Sequence, residues 1–221
     1  MSQNSKFFFA NRLLNRIRMN QENNQENNQY LIVGLGNPGR QYKYNRHNVG
    51  FLTLDRLASR FNESFSRVES KSLVLKINHE GNRYILAKPQ TYMNLSGGAV
   101  SSLVHFYKIK LENLLIVYDD VDLPQEVIRL RPGGGSGGHK GMQSIIKQLG
   151  THDFPRMRIG VGRPPGRKGA ADYVLENFSP DEVEFLPNIL DRAVEAIFVY
   201  TVSGLIKAMN QYNRVDDEKD L

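Results

Sequence analysis

The chain has 221 residues, 40% of them hydrophobic and 24% charged, with a formal net charge of +6 and no cysteine. That length suits one α/β domain with a real core, and no apolar run reaches the roughly 20 residues of a membrane span. The lack of cysteine excludes disulfides, thiol nucleophiles and thiolate metal sites and fits a reducing compartment, while the cationic excess favours an anionic partner, nucleic acid first among them.

Residues 1–29 stand apart. The first twenty carry four basic residues and no acid, and Phe9, Leu13 and Ile17 share a face at helical spacing. QENNQENNQ then repeats a polar tetrad and reads as a disordered linker. The apolar run 7–10 is too short for a secretory signal. An organelle transit peptide and a dispensable extension both remain open, so the expected location is the cytoplasm, or an organelle if these residues are a transit peptide. The globular part is expected to span 30–213, with 214–221 as an acidic, frayed tail.

Within 30–213 the apolar pattern predicts strands at 30–34, 72–78, 83–88, 114–119, 126–131 and 156–161. Helices are predicted at 48–62, 96–107, 140–149 and through a long region from 180 to 212, which Pro187 should break or kink. His79-Glu80-Gly81-Asn82 joins two strands as a hairpin. A second hairpin is expected between 114–118 and 127–131 through Asp122-Leu123-Pro124. Strands otherwise alternate with helices. The fold class is therefore α/β: a single-domain mixed β-sheet sandwiched between helices, in three layers.

Two glycine-rich segments punctuate the chain. Gly34, Gly36 and Gly39 match G-x-G-x-x-G spacing, but Pro38 precedes the last glycine, no helix follows at once, and no acid stands at the required distance. A dinucleotide site is discounted. Residues 133–138, GGGSGG, precede His139 and a predicted helix, which gives close backbone approach and a helix N-terminus for an anion. Around them, from Arg129 to Lys168, lie nine basic residues against one acid, Asp153. This reads as a phosphate-binding face, with few aromatics for base stacking.

Among the histidines, His79 and His105 read as structural or surface residues, His152 sits beside Asp153, and His139 suits phosphate contact or helix capping. His47, between Arg46 and Asn48 at a loop-to-helix junction, is the general-base candidate, since histidine as a residue type exchanges a proton near neutral pH. Its carboxylate partner would come from Asp119, Asp120 or Asp122, at the end of the strand 114–118. Asn37 and Asn94 also follow strands, where α/β proteins place ligands. Ser96 reads as a helix N-cap.

The segments VGLGNPG, RHNVGF, KPQTYMNLSG, YDDVDLP, GGGSGGH and RIGVGRP occur in one order. Together they resemble bacterial-type peptidyl-tRNA hydrolase, from about residue 30 to 213. The resemblance implies a hydrolase of the ester between a peptide and tRNA, recycling tRNA from abortive translation, monomeric, with no metal and no cofactor. It implies His47 as general base, Asp119 as the acid that polarises it, Asn37 as a contact to the peptide, and Asn94 as positioning substrate and water. Tyr42 and Tyr92 would line the pocket near the tRNA end, and Arg131 and Arg158 would clamp the tRNA 5′-phosphate. One position departs from the family pattern: Lys140 stands where GGHNG has asparagine. A lysine keeps a donor and adds charge, suiting an oxyanion or a phosphate, but cannot accept a hydrogen bond. An RNA-binding protein on the same scaffold, without hydrolysis, is the competing reading; the intact His47, Asp119, Asn37 and Asn94 speak against it.

Overall fold

The computed structural model describes residues 28–213; the N-terminal extension, up to residue 27, and the tail 214–221 lie outside the described residues. β1 (Gln29–Gly34) is the axis of the sheet. Its residues 31–33 are fully buried, as expected of a strand covered on both faces. β2 (Arg67–Glu69), β3 (Ser72–His79), β4 (Asn82–Pro89), β5 (Leu114–Asp120), β6 (Ile128–Arg131) and β7 (Arg156–Gly160) complete a sheet of order β2-β3-β4-β1-β5-β7-β6. β4, β5 and β7 run parallel to their inner neighbours; β2 and β6 are antiparallel edges. The sheet is mixed, as the sequence predicts.

Helices cover both faces. α1 (Val49–Ser59), α5 (Pro180–Ser203) and α6 (Leu205–Tyr212) pack against Ile32, Leu86, Val117 and Met157. α2 (Ser96–Phe106) and α3 (Lys140–Leu149) pack against Val33, Ile85, Ile116 and Phe154. A short helix, α4 (Ala170–Val174), has its own small cluster with Val161 and Tyr173. Sequence periodicity did not reveal α4 or β2; each is too short to show a period.

Three expectations need correction. β6 does not form a hairpin with β5: β7 lies between them, parallel to β5 and antiparallel to β6. β5 is buried through Asp119 and needs a covered neighbour on each side, whereas β6, ending in exposed Arg131, suits an edge. Pro187 does not break α5, which runs through it; the break falls at Gly204, at φ +86°. Pro187 is exposed, so the carbonyl it leaves unpaired, on exposed Val183, faces water. A capping box at Ser179 and Glu182 holds the first turn, and the face from Ile189 to Tyr200 holds the rest. Finally, Ser96 is the first residue of α2 rather than its cap, which is Leu95.

The two layers meet most closely where β1 passes α1. A Cβ on Gly50 would lie 2.4 Å from the Val117 carbonyl and 2.5 Å from the Leu35 amide, all rigid backbone. Gly50→Ala should therefore destabilise by about 1–3 kcal/mol, read as a lower urea midpoint. Gly98→Ala, in α2, meets nothing within 4 Å and should instead be neutral or stabilising. Equal midpoints for Gly50→Ala and the parent would contradict the close approach.

Candidate active site

Because β1 and β5 are parallel neighbours, the chain after Gly34 and the end of β5 emerge on the same edge of the sheet. Asp119 lies at that end and is buried. The loop from Leu35 returns through a single turn, Arg46–Asn48, directly before α1, and this places His47 over Asp119. His47 Nδ1 lies 2.8 Å from Asp119 Oδ1. The ionised carboxylate only accepts, so Nδ1 carries the hydrogen and Nε2 keeps its lone pair. His47 lines a pocket of about 620 Å³ shared with Asn37, Tyr42, Tyr92, Asn94, Asp119, His139 and Lys140.

His139 is the neighbour that the sequence placed only as a cap or phosphate contact. It does cap α3: its Nδ1 accepts the Met142 amide at 3.2 Å. Its Nε2 must then bear the hydrogen, and it lies 3.1 Å from the same Asp119 Oδ1. α3 can bring it this close because Gly141 has no side chain; a Cβ there would lie 2.5 Å from Met93 Sδ. The ligand atoms of His47, Asp119 and His139 lie within 4.8 Å of one another, a spacing that a metal could use. The hydrogen bonding argues otherwise: His139 offers Asp119 a donor, with its other nitrogen already occupied. Burial alone would push the Asp119 carboxyl pKa up; the His47 and His139 imidazoles, by charge and hydrogen bonds, override it and hold the carboxyl below its ordinary range.

Asn37 is fixed from three sides. Its backbone N–H donates to Asn48 Oδ1 and its carbonyl accepts from Asn48 Nδ2, both at 2.9 Å. Its side-chain oxygen accepts the Met93 amide at 2.9 Å. Its Nδ2 group is thus the donor left for the pocket. Asn48 has no pocket role itself; its position directly after His47 was the only sequence hint of this brace. Asn94 and Tyr92 are exposed at the pocket mouth and Tyr42 is half-buried.

Arg46 anchors the turn that carries His47. It is buried and forms a two-pronged ion pair with Glu182, at 3.0 and 2.5 Å. It also donates to the Tyr173 carbonyl at 3.2 Å and lies 4.1 Å from the Tyr173 ring. This joins the turn to α4, which forms one wall of the pocket. The capping box that includes Glu182 could be read from Ser179-x-x-Glu182; its ion pair across 136 positions could not.

The basic region is sparser in space than in sequence. Arg156 is buried, donating to the carbonyls of Gly134, Gly135 and His152, so it anchors the glycine loop rather than facing a ligand. Arg163 pairs with Asp122 and Lys168 with Glu176. Arg129 opposes Arg158 and Arg131 opposes Arg156 in the β6–β7 register, so all four arginines share one sheet face. Arg131 is exposed; Arg158 is held by Asp120; Arg129 Nε is buried with no hydrogen-bond partner. Neither Arg131 nor Arg158 lines the His47 pocket. Lys140 does, at the first position of α3, exposed.

A mixed three-layer sheet with a buried aspartate, a histidine whose free nitrogen opens on a pocket, and amide donors around it belongs to the class of hydrolases. The comparisons with known proteins narrow this. The family model for peptidyl-tRNA hydrolase matches residues 31–220. A peptidyl-tRNA hydrolase of Chloroflexus aurantiacus is 51% identical over 185 residues, covering 83% of this chain and 98% of that one. One from Syntrophomonas wolfei is 49% identical, covering 83% and 99%. The crystal structure of peptidyl-tRNA hydrolase from Acinetobacter baumannii superposes with a TM-score of 0.79 at 36% identity, covering 85% of this chain and 95% of that chain. The chain belongs to the peptidyl-tRNA hydrolase family and is a carboxylic-ester hydrolase.

The depressed Asp119 pKa has a consequence for stability. A carboxyl held below its ordinary value of 3.8 stabilises the fold fully above that pH, and the contribution is lost as pH falls below it. The stability difference between the parent and Asp119→Asn should therefore persist down to about pH 4 and close only below it. Thermal unfolding followed across pH reads this directly; a gap that closes near pH 6 would contradict it.

Proposed function

We propose that the chain hydrolyses peptidyl-tRNA by direct attack of water, with His47 as general base. The observation that carries this reading is the His47–Asp119 hydrogen bond, which directs Nδ1–H to the carboxylate and leaves Nε2 for a water in the pocket. Water attacks the ester carbonyl carbon as its proton passes to His47 Nε2. Asp119 stabilises the imidazolium without taking the proton. The tetrahedral intermediate collapses with cleavage of the bond to the ribose oxygen, which receives that proton from His47. The products are the peptide acid and free tRNA. No serine or cysteine takes part, so no acyl-enzyme forms.

Asn37, clamped with its amide N–H₂ free, donates to a peptide carbonyl next to the ester. Asn94 orients substrate and water at the mouth, and Lys140 and the nearby amides face the developing oxyanion. Tyr42 and Tyr92 line the pocket at the RNA end. Arg131 and Arg158 bind the 5′-phosphate, Arg158 through the N–H groups that Asp120 leaves free. Arg129, on the same sheet face and opposite Arg158, adds positive charge beside that site. The similarity to bacterial relatives supports a cytoplasmic setting.

His47→Ala should lower kcat about 10²–10⁴-fold while tRNA affinity stays nearly unchanged. A near-parental rate with N-acetylaminoacyl-tRNA would sink the assignment. Arg131→Ala should weaken tRNA binding and lower the slope of log affinity against log salt by about one. An unchanged slope would remove Arg131 from the phosphate site.

A further inference from the structure

The arginine face lies on β6 and β7, at one edge of the sheet, and Asp119 ends the strand next to β7. Resting on the reading above, RNA approaches from that edge and its ester sits beside His47. The peptide must then leave on the opposite side. There a second groove of about 820 Å³ runs between α2 and α3 to the β2–β3 turn, on the far edge of the sheet. It shares Asn94 and Lys140 with the His47 pocket, so the two adjoin.

Three lysines line this groove, Lys71, Lys140 and Lys147, and no acid does. All three are exposed, and none has a side-chain ion pair or hydrogen bond among the described residues. Lys140 occupies the first turn of α3, where the helix dipole disfavours a cation. A locally unfavourable charge beside a reaction centre is a mark of function. The rest of the lining combines hydroxyl and amide side chains with Leu95, Gly98 and Ala99, and Thr91 Oγ1 is buried there with no partner. The polar groups suit the N–H and C=O of an extended peptide. No aromatic ring is present on which an RNA base could stack.

We infer that this groove receives the peptide of peptidyl-tRNA and selects acidic side chains within about six residues of the ester. The reach follows from the sheet: β2 lies four strand spacings from β5, about 19 Å, and an extended peptide covers about 3.3 Å per residue. Lys140 meets the first residues and Lys71 the last of these.

The test uses the full chain and two N-acetylated pentapeptidyl-tRNAs that differ only in Asp or Asn at the second and fourth residues from the ester. N-acetylaminoacyl-tRNA serves as a third substrate. The parent should cleave the Asp form with a kcat/KM about three- to tenfold higher at low salt, and the ratio should shrink as salt rises. In a Lys71→Gln, Lys147→Gln double variant the ratio should approach one, and Lys140→Gln should lower it as well. Equal rates on the Asp and Asn forms, with N-acetylaminoacyl-tRNA still cleaved, would overturn the inference alone. So would variants that keep the ratio, or that weaken binding of deacylated tRNA with a shallower salt slope, which would place RNA in the groove. Failure to cleave N-acetylaminoacyl-tRNA at all would overturn the hydrolase reading and this inference together.

Discussion

One carboxylate oxygen, Asp119 Oδ1, receives hydrogens from two imidazoles, 2.8 Å from His47 and 3.1 Å from His139. It does so at the end of a strand that is buried on both faces, where an unpaired charge would be costly. The rest of the architecture can be understood as what this arrangement requires. β5 must be central, so that Asp119 is dry. α3 must begin directly after His139, so that a backbone amide fixes which nitrogen of that ring carries the hydrogen. The return loop after β1 must end directly over β5, which brings His47 to the other side of the oxygen.

These demands are met by close approaches and by buried braces rather than by the chemistry-bearing residues themselves. Gly50 lets α1 lie against the backbone of β1 and β5, and Gly141 lets α3 lie against Met93. Arg46 ties the His47 turn to Glu182 at the start of α5, a pair that would be strongly destabilising if one member were removed. Arg156 fixes the glycine loop through three carbonyls. Among the surface cations, Arg131 and Arg158 lie on the β6–β7 edge, and Lys71, Lys140 and Lys147 line the α2–α3 groove.

Much of this was legible in the sequence. Periodicity gave six strands and the main helices to within a few residues, and strand ends placed Asn37, Asn94 and Asp119 on one edge, as observed. The choice of Asp119 over Asp120 and Asp122 rested on the resemblance; the structure gives the physical reason. Asp119 alone points to His47, while Asp120 holds Arg158 and Asp122 holds Arg163. What could not be read was long-range pairing. The insertion of β7 between β5 and β6 leaves no mark in local pattern, so adjacency in sequence suggested a hairpin. Nine basic residues in a row of forty looked like one surface, yet burial of Arg156 and ion pairs at Arg163 and Lys168 depend on partners distant in the chain. Pro187 carried a correct local rule, overridden by a helix held at both ends and by water at the missing bond. His139 was seen as a cap, and its second nitrogen found Asp119 only in three dimensions.

The positions of the two imidazole protons are open to direct observation. Long-range ¹H–¹⁵N correlation spectra of the ¹⁵N-labelled protein report the tautomer of each neutral histidine ring. The expected result is hydrogen on Nδ1 of His47, with Nε2 bare towards the pocket, and hydrogen on Nε2 of His139, with Nδ1 accepting the amide of α3. A spectrum with hydrogen on Nε2 of neutral His47, or on Nδ1 of neutral His139, would contradict it.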